Sequence, residues 1–191
     1  MREPEAWCSP APPVRVRMRG VNRLSLHALI VAVLVGCIGC DQATKQLAVA
    51  ELRDTPSRSF LGDTFRLVYA ENPGAFLGMG GGQGRAVQFW LFTVGVGVLL
   101  AGALVYLILK ARELGTVHSA GVALLVGGGL SNWFDRLVND GRVVDFMNLG
   151  IGGLRTGIFN VADVAIVAGA IVLVLPRRSN PPATTPPPVN G

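Results

Sequence analysis

Charged residues are spaced unevenly along the chain and leave four long apolar runs. Three runs contain no Asp, Glu, Lys or Arg and cover 24–40, 86–109 and 114–134; the fourth covers 156–176 and carries one charge, at Asp163. A helix needs roughly 20 apolar residues to cross the hydrocarbon core of a bilayer. We therefore predict four transmembrane helices, one in each run.

The cations flank these runs on alternate sides. They precede the first run, separate the second from the third, and follow the fourth: Arg15, Arg17, Arg19, Arg23, Lys110, Arg112, Arg177 and Arg178. By the positive-inside rule, both termini and the connection at 110–113 face the cytoplasm. The longer connections, at about 42–85 and 135–155, then face outward. This placement also accounts for the net charge of +5, and no basic patch with interleaved aromatics suggests a nucleic-acid partner.

The first outer connection has the composition of short strands and turns. Phe60 and the apolar residues at 65–69 alternate with turn-forming residues at 62–64, and seven Gly or Pro residues follow within 72–84. We predict an all-α membrane protein with four transmembrane helices and a small extracytoplasmic β-rich cap, at about 55–82, between spans one and two.

The two ends of the chain lack the pattern of a folded core. Residues 1–22 are rich in Pro and Arg, and residues 177–191 are rich in Pro. We predict a disordered cytoplasmic extension and a disordered cytoplasmic tail on either side of a single four-span domain at 23–176.

Ionisable and amide residues gather at the outer ends of the predicted spans. An ionisable group at membrane depth costs roughly 2.5–3.5 kcal/mol on insertion scales, so each needs a partner or a purpose. The group comprises Asp41, Lys45, Asn132, Asp135, Arg136, Asp145, Asn160 and Asp163.

Asp145 and Asp163 have the surroundings expected of a pair that shares a proton. Each lies among apolar residues, and two carboxylates in a partly dry site cannot both ionise easily. Such a pair can activate water and protonate a leaving amine. Structural alternatives remain open: Asn160 and Asp163 have capping-box spacing, and Asp145 could be a solvated loop carboxylate paired with Arg142 or Arg136.

Two other carboxylates have simpler explanations as structural ion pairs. Asp41 and Lys45 are spaced i, i+4 at a helix end, where such a pair is stabilising. Asp135 precedes Arg136, and a neighbouring guanidinium keeps a carboxylate ionised. We expect both pairs to support the fold.

The histidines and cysteines predict no metal site, cofactor or disulfide framework. His27 and His118 have no Cys or carboxylate at metal-ligand spacing. Cys37 and Cys40 lie in the first apolar run and Cys8 in the amino-terminal extension, where apolar packing or an incidental thiol explains them.

Five short motifs occur in order between residues 24 and 175. They are Asp41-Gln42-Ala43-Thr44-Lys45, Asn72-Pro73-Gly74-Ala75-Phe76, Asn132-Trp133-Phe134-Asp135-Arg136, Val143-Val144-Asp145-Phe146 and Phe159-Asn160-Val161-Ala162-Asp163. Together they resemble the motifs of the bacterial lipoprotein signal peptidases, also called signal peptidase II. Ser131 departs from the family pattern, which has Gly before the third motif, and the amino-terminal extension has no counterpart there.

The resemblance implies a four-span aspartic endopeptidase of the bacterial inner membrane, with its site at the outer face. Such enzymes cut diacylglyceryl-modified prolipoproteins just before the lipidated cysteine. Asp145 and Asp163 would be the catalytic dyad, acting without metal or cofactor, and the expected partners are the prolipoprotein substrates and membrane lipid, with the enzyme a monomer. The residues implied to bind substrate or support the site are Asp41, Lys45, Asn72, Gly74, Phe76, Asn132, Asp135, Arg136, Asn160 and Ala162.

Two other functions are compatible with parts of the sequence. Leu34-Val35-Gly36-Cys37 looks like a lipoprotein processing site, which would make the chain a substrate cleaved before Cys37; three further apolar runs argue against a secreted product. A non-catalytic transporter or scaffold would use its carboxylates in an ion path, but the middles of the runs are apolar.

Overall fold

The computed structural model describes residues 22–74 and 84–176. The predicted amino-terminal extension, apart from Asn22, and the predicted carboxy-terminal tail lie outside the described residues. The predicted site residue Phe76 also lies outside them.

Helix α1 covers Arg23–Leu52 and is 30 residues long, or about 45 Å. It continues well beyond the predicted span at 24–40, because the charged residues that end the apolar run do not end the helix. Asp41 and Lys45 lie one turn apart on the face of α1 that packs against the rest of the molecule, and both are buried.

A second helical segment folds back on itself. It begins with α2, Arg85–Gln88, continues through a π-helical stretch, Phe89–Gly95, and ends with α3, Val96–Val138. At Gly115 the backbone leaves the helix with φ 73° and ψ 171°, a left-handed φ that favours glycine.

Side-chain contacts show that the two arms on either side of Gly115 lie antiparallel. The Ser119 hydroxyl donates to the Ala111 carbonyl at 2.9 Å, close to the turn. Further away, the Trp133 indole donates to the carbonyl of Thr93 at 2.7 Å. The segment is therefore a helical hairpin, and its arms contain the apolar runs predicted at 86–109 and 114–134.

Helix α4, Val161–Val174, packs closely against the second arm of α3 through glycine. A Cβ added to Gly128 would lie 2.4 Å from the carbonyl oxygen of Ala162, and one added to Gly169 would lie 2.5 Å from that of Gly121. Small residues let helix backbones approach in this way, which is common where helices associate inside a membrane.

The helices are apolar on both their packed and their outer surfaces. Leu107 and Val126 are completely buried between α1 and α3. Leu24, Leu99 and Val174 are 78%, 73% and 84% exposed. Among the described residues, α1 and the continuous segment Arg85–Val138 are long and apolar enough to cross a membrane. An apolar exterior of this kind suits a protein surrounded by lipid.

A four-stranded antiparallel sheet in the order β1-β2-β3-β4 covers one end of the helices. The strands are Arg58–Phe60, Phe65–Asn72, Val143–Ile151 and Leu154–Arg155. The sequence prediction placed β structure only in the first outer connection and missed the last two strands. The molecule is mostly helical with a small antiparallel sheet, as expected, but both of the connections predicted to face outward build that sheet.

The pairing of β2 with β3 brings the two connections predicted to face outward together at the predicted site. Ala70 lies opposite Asp145, and Asn72 lies opposite Val143. An irregularity between Leu67 and Ala70 shifts the register. Because of this register, the end of β2 places Asn72 beside the Asp145 side chain.

Candidate active site

Asp145 lies on β3 with its side chain buried and both carboxylate oxygens hydrogen-bonded. Asn160 donates through Nδ2 to Oδ1 at 2.6 Å, and Asn72 donates through Nδ2 to Oδ2 at 2.9 Å. Only 2% of the residue is exposed. Asp145 is therefore not a solvated loop carboxylate, and that alternative prediction is wrong. Arg142, one of the cations suggested as its partner, instead pairs with Glu71 at 2.7 Å.

Asp163 lies in the first turn of α4 and is 7% exposed. Its Oδ1 accepts from Nδ2 of Asn132 at 3.0 Å, and its Oδ2 accepts from the backbone N–H of Asn160 at 3.2 Å. The Asn160 side chain in turn accepts from the backbone N–H of Asp163 at 2.9 Å. The capping box predicted from spacing is confirmed, and it holds the carboxylate at the start of the helix.

Asn160 connects the two carboxylates. Its Oδ1 accepts from the backbone N–H of Asp163 in the capping box. Its Nδ2 donates to Asp145 and, at 3.0 Å, to Oδ1 of Asn132. Asn160 has no exposed surface. One fully buried amide therefore fixes the positions of both acidic side chains relative to each other.

Lys45 lies behind this amide pair and uses all three of its N–H donors. Nζ lies 2.7 Å from Oδ2 of Asp41, 2.9 Å from Oδ2 of Asp135 and 2.8 Å from Oδ1 of Asn132. All three charged side chains in this group are almost completely buried. Buried charges are tolerated when they are paired and fully hydrogen-bonded, as here.

The Asp41 carboxylate joins three helices. It accepts from the Ser131 hydroxyl on α3 at 2.7 Å and from the backbone N–H of Ala162 on α4 at 2.8 Å, in addition to Lys45 on its own helix. The predicted Asp41–Lys45 pair is confirmed. Ser131, the departure from the family pattern, supplies one of these donors.

The Asp135 carboxylate joins α3 to α1 and to β3. It accepts from Nε2 of Gln42 at 2.7 Å and from the backbone N–H of Val144 at 3.1 Å, and it pairs with Lys45. The predicted Asp135–Arg136 ion pair is wrong, because these adjacent side chains point to different partners. Gln42 was missed as a site residue, although its place directly after Asp41 in the first motif was a usable signal.

Arg136 binds the segment that directly follows β2. Its Nη2 donates to the carbonyl of Gly74 at 2.6 Å, its Nη1 donates to the carbonyl of Asn132 at 3.2 Å, and its guanidinium lies over the Phe92 ring at 5.9 Å. The backbone N–H of Gly74 donates to the Asn72 side chain at 2.9 Å. The predicted residues Gly74 and Arg136 thus brace the amide that contacts Asp145.

The pKa of Asp145 is raised to about 6, chiefly because the side chain is buried. The negative charge of Asp163 adds to this rise, and hydrogen bonds from Asn72 and Asn160 oppose it. A carboxyl group with a pKa near 6 exchanges a proton close to neutral pH. General acid–base catalysis works best with such a group.

An apolar groove of about 470 Å³ opens beside Asp163 and follows α4. Apart from Asp163 it is lined by apolar or weakly polar side chains: Leu149, Thr156, Phe159, Val164, Val167, Ala168 and Ile171. A second, polar cavity of about 540 Å³ lies on the other side of the buried network, and Lys45, Asp135 and Val144 line part of it. The carboxylate at the groove can therefore meet an apolar ligand.

Cys37, the residue of the alternative processing site, lies in the interior of α1. Its Cβ is 3.1 Å from the position that a Cβ on Gly127 would occupy, so it packs against α3. Cys37 and Cys40 are both free thiols. These contacts agree with the apolar packing role predicted for Cys37.

Comparison with known proteins places this chain in a known family. The family model described as signal peptidase II matches residues 32–177. Lipoprotein signal peptidases from Paraburkholderia phymatum and Geobacillus thermodenitrificans are 40% and 32% identical over 147 and 158 residues. These matches cover 75% and 83% of this chain, and 82% and 92% of the respective relatives.

A solved structure described as a bacterial membrane enzyme has a similar fold. It superimposes with a TM-score of 0.66 at 25% sequence identity, over 77% of this chain and 85% of the other. The apolar helices and this likeness define a membrane enzyme. The chain belongs to the signal peptidase II family and is a peptidase.

Proposed function

We propose that this protein removes signal peptides from diacylglyceryl-modified prolipoproteins, cutting before the lipidated cysteine by aspartic proteolysis. The names of the relatives support the substrate class. The observation that carries the chemistry is that two buried carboxylates, Asp145 and Asp163, are joined by one amide, Asn160, at the end of an apolar groove.

The chemistry needs one proton shared by the pair. The ionised carboxylate takes a proton from water as the water oxygen bonds to the scissile carbonyl carbon. The protonated carboxyl group donates to the carbonyl oxygen as negative charge develops on it. Collapse of the tetrahedral intermediate breaks the C–N bond, and the amine leaves with the proton that the first carboxylate took from water. The second carboxylate takes back its proton from the hydroxyl that becomes the new carbonyl, so the dyad returns to its starting state. No bond to the protein forms, and one water is consumed per peptide bond.

The surrounding residues orient the dyad rather than react. Asn72, Asn132 and Asn160 donate hydrogen bonds to its oxygens, and Lys45 holds Asn132 from behind. Five more residues act one step further from the dyad, through the contacts already described: Asp41, Asp135, Arg136, Gly74 and Ala162. Phe76 keeps the substrate-binding role implied by the family motif.

The apolar groove suits the substrate. A ligand that reaches Asp163 along α4 meets Val164, Val167 and Ile171 on one side. A lipid chain or an apolar signal segment can bury its surface there, whereas a polar peptide would lose hydration without compensation.

We further propose that α1, the two arms around Gly115 and α4 cross the bacterial inner membrane, forming one peptidase domain at 23–176. The flanking cations support an orientation with both termini in the cytoplasm and the dyad at the outer face. Among the described residues, one chain supplies the donors to the dyad oxygens given above, so the site needs no second copy, and we propose a monomeric enzyme.

Replacing each dyad residue separately tests this function. Asp145→Asn and Asp163→Asn should each lower turnover of a purified, lipidated prolipoprotein by at least about 100-fold, because an amide cannot exchange the required proton. Asp140→Asn is the matched control, since Asp140 is exposed in the turn before β3 and outside the network. Near-normal cleavage by either dyad variant would remove the aspartic mechanism.

A further inference from the structure

Two turns at one end of the sheet present large apolar side chains to the outside. Leu61 follows β1 and is 81% exposed. Ile151 and Leu154 flank the turn between β3 and β4 and are 80% and 83% exposed. We call these three residues the turn patch. Exposure of this degree at adjacent turns calls for an apolar neighbour.

Hydrogen bonds hold the two turns together. The backbone N–H of Gly150 donates to the carbonyl of Thr64 at 2.9 Å, and Nη1 of Arg155 donates to the carbonyl of Asp63 at 2.8 Å. The turn patch is therefore one surface with a fixed arrangement, even though its residues are about 90 positions apart in the chain.

The turn patch is continuous with the outer surface of α4. Ile151 and Leu154 line an apolar cavity of about 450 Å³ together with Leu149 and Thr156. Leu149 and Thr156 also line the groove that runs from Asp163 along α4. That groove ends among exposed side chains, including Ile171, which is 59% exposed. In a membrane protein, such a helix surface faces lipid, so the patch extends a lipid-facing surface.

The charged residues beside the turn patch suit a position at the depth of the lipid phosphate groups. Asp63 is paired with both Arg66 and Arg155, so its negative charge is neutralised locally. Two guanidinium groups facing one carboxylate leave a net positive charge. Cations beside exposed apolar side chains favour the interface of a bilayer, where the apolar groups enter the acyl region and the cations remain near phosphate.

We propose that Leu61, Ile151 and Leu154 insert into the outer leaflet and hold the sheet against the bilayer beside the groove. The occupant of the turn patch is thus the lipid itself. This proposal rests on the outer-face orientation given under the proposed function. It adds that the turn patch, next to the groove beside Asp163, is itself in contact with lipid. A substrate that moves within the outer leaflet can then enter the groove directly from the lipid.

Spin labels placed on the patch test the proposal. Single cysteines at positions 61, 151 and 154 are introduced into a chain in which Cys8, Cys37 and Cys40 are replaced by Ala. The labelled proteins are placed singly in nanodiscs of phosphatidylethanolamine and phosphatidylglycerol. Ser57→Cys, at the opposite end of β1, is the aqueous control, and Leu99→Cys on the exposed surface of α3 is the lipid reference.

Collision rates with oxygen and with a water-soluble nickel chelate report the depth of each label. The three patch labels should resemble the label at 99, with frequent oxygen collisions and few nickel collisions. Patch labels that resemble the label at 57 would overturn the proposal. So would patch labels with few collisions with both oxygen and the nickel chelate, because that result would indicate contact with a protein surface, such as a second copy, instead of lipid.

Cleavage by the same labelled proteins separates the two proposals. Lipid-protected labels in a protein that does not cut lipidated prolipoprotein would leave the membrane contact intact and remove the proposed function. Cleavage of lipidated prolipoprotein by a protein whose patch labels are exposed to water would support the proposed function and remove the membrane contact. The triple variant Leu61→Asn, Ile151→Asn, Leu154→Asn should raise KM several-fold in nanodiscs, whereas Ser57→Asn should leave it unchanged. An unchanged KM in the triple variant would contradict insertion.

Discussion

Lys45 donates a hydrogen bond to Oδ1 of Asn132 at 2.8 Å, and together with the bond that Asn160 donates to the same oxygen it orients the Asn132 amide. An ammonium group has only donors, so the amide oxygen must face it. Nδ2 of Asn132 is then directed at Asp163, where it donates at 3.0 Å. A cation on α1 therefore supports a hydrogen bond to the Asp163 carboxylate of the proposed dyad, on α4, without touching that carboxylate.

Lys45→Met should therefore damage catalysis more than its distance from the dyad suggests. It leaves Asp41 and Asp135 buried without their cation and removes one of the two donors that orient the Asn132 amide. We expect kcat to fall by roughly tenfold to a hundredfold, equivalent to about 1.5–3 kcal/mol for a hydrogen bond to a charged group, and thermal stability to fall as well. Lys110→Met, which removes an exposed lysine paired with Glu113, is the matched control. A Lys45→Met variant with unchanged kcat would contradict the positioning role.

Asn72→Ala should move the pH dependence of cleavage. The Asn72 amide donates to Asp145 and so stabilises its ionised form, which lowers the pKa. Without that donor the pKa of Asp145 should rise above its present value of about 6. We expect the limb of the pH profile of kcat/KM near pH 6 to move to higher pH. A limb that stays in place or moves to lower pH would show that Asn72 does not act on Asp145 in this way.

Ser131→Ala should destabilise the protein more than an ordinary buried serine replacement. The Ser131 hydroxyl donates to the buried carboxylate of Asp41, and a hydrogen bond to a charged group contributes about 1.5–3 kcal/mol. Ser119→Ala is a close control, because the buried Ser119 hydroxyl donates to a neutral carbonyl, a bond that contributes about 0.5–1.5 kcal/mol. Thermal unfolding in detergent compares the two. Equal losses of thermal stability would show that the Ser131–Asp41 hydrogen bond contributes no more than the neutral Ser119–Ala111 hydrogen bond.

Gly128→Ala should separate α3 from α4 and lower both stability and activity. The added methyl group would lie 2.4 Å from the carbonyl oxygen of Ala162, a backbone atom that cannot move without shifting the start of α4. Overpacking of this kind typically costs about 1–3 kcal/mol. Gly102→Ala is the matched control, because nothing lies within 4 Å of its added Cβ. If Gly128→Ala and Gly102→Ala behaved alike, the close helix contact would be unimportant.

The sequence by itself determined the features that depend on short spacing. Apolar runs between charges predicted the helical segments, because a helix in an apolar setting must be apolar all round. The i, i+4 spacing of Asp41 and Lys45 predicted their ion pair, and the spacing of Asn160 and Asp163 predicted the capping box. Both contacts are present, since each is formed within one or two helical turns.

Tertiary structure alone decided the contacts between distant segments. Asp135 pairs with Lys45 instead of its neighbour Arg136, and the Ser131 hydroxyl reaches Asp41 from 90 positions away. Strand β3 pairs with β2 and brings Asn72 to Asp145. Sequence spacing specifies which faces of an element are polar. Which polar groups meet depends on how closely the helices pack and on the register of the sheet, and both are set by the whole molecule.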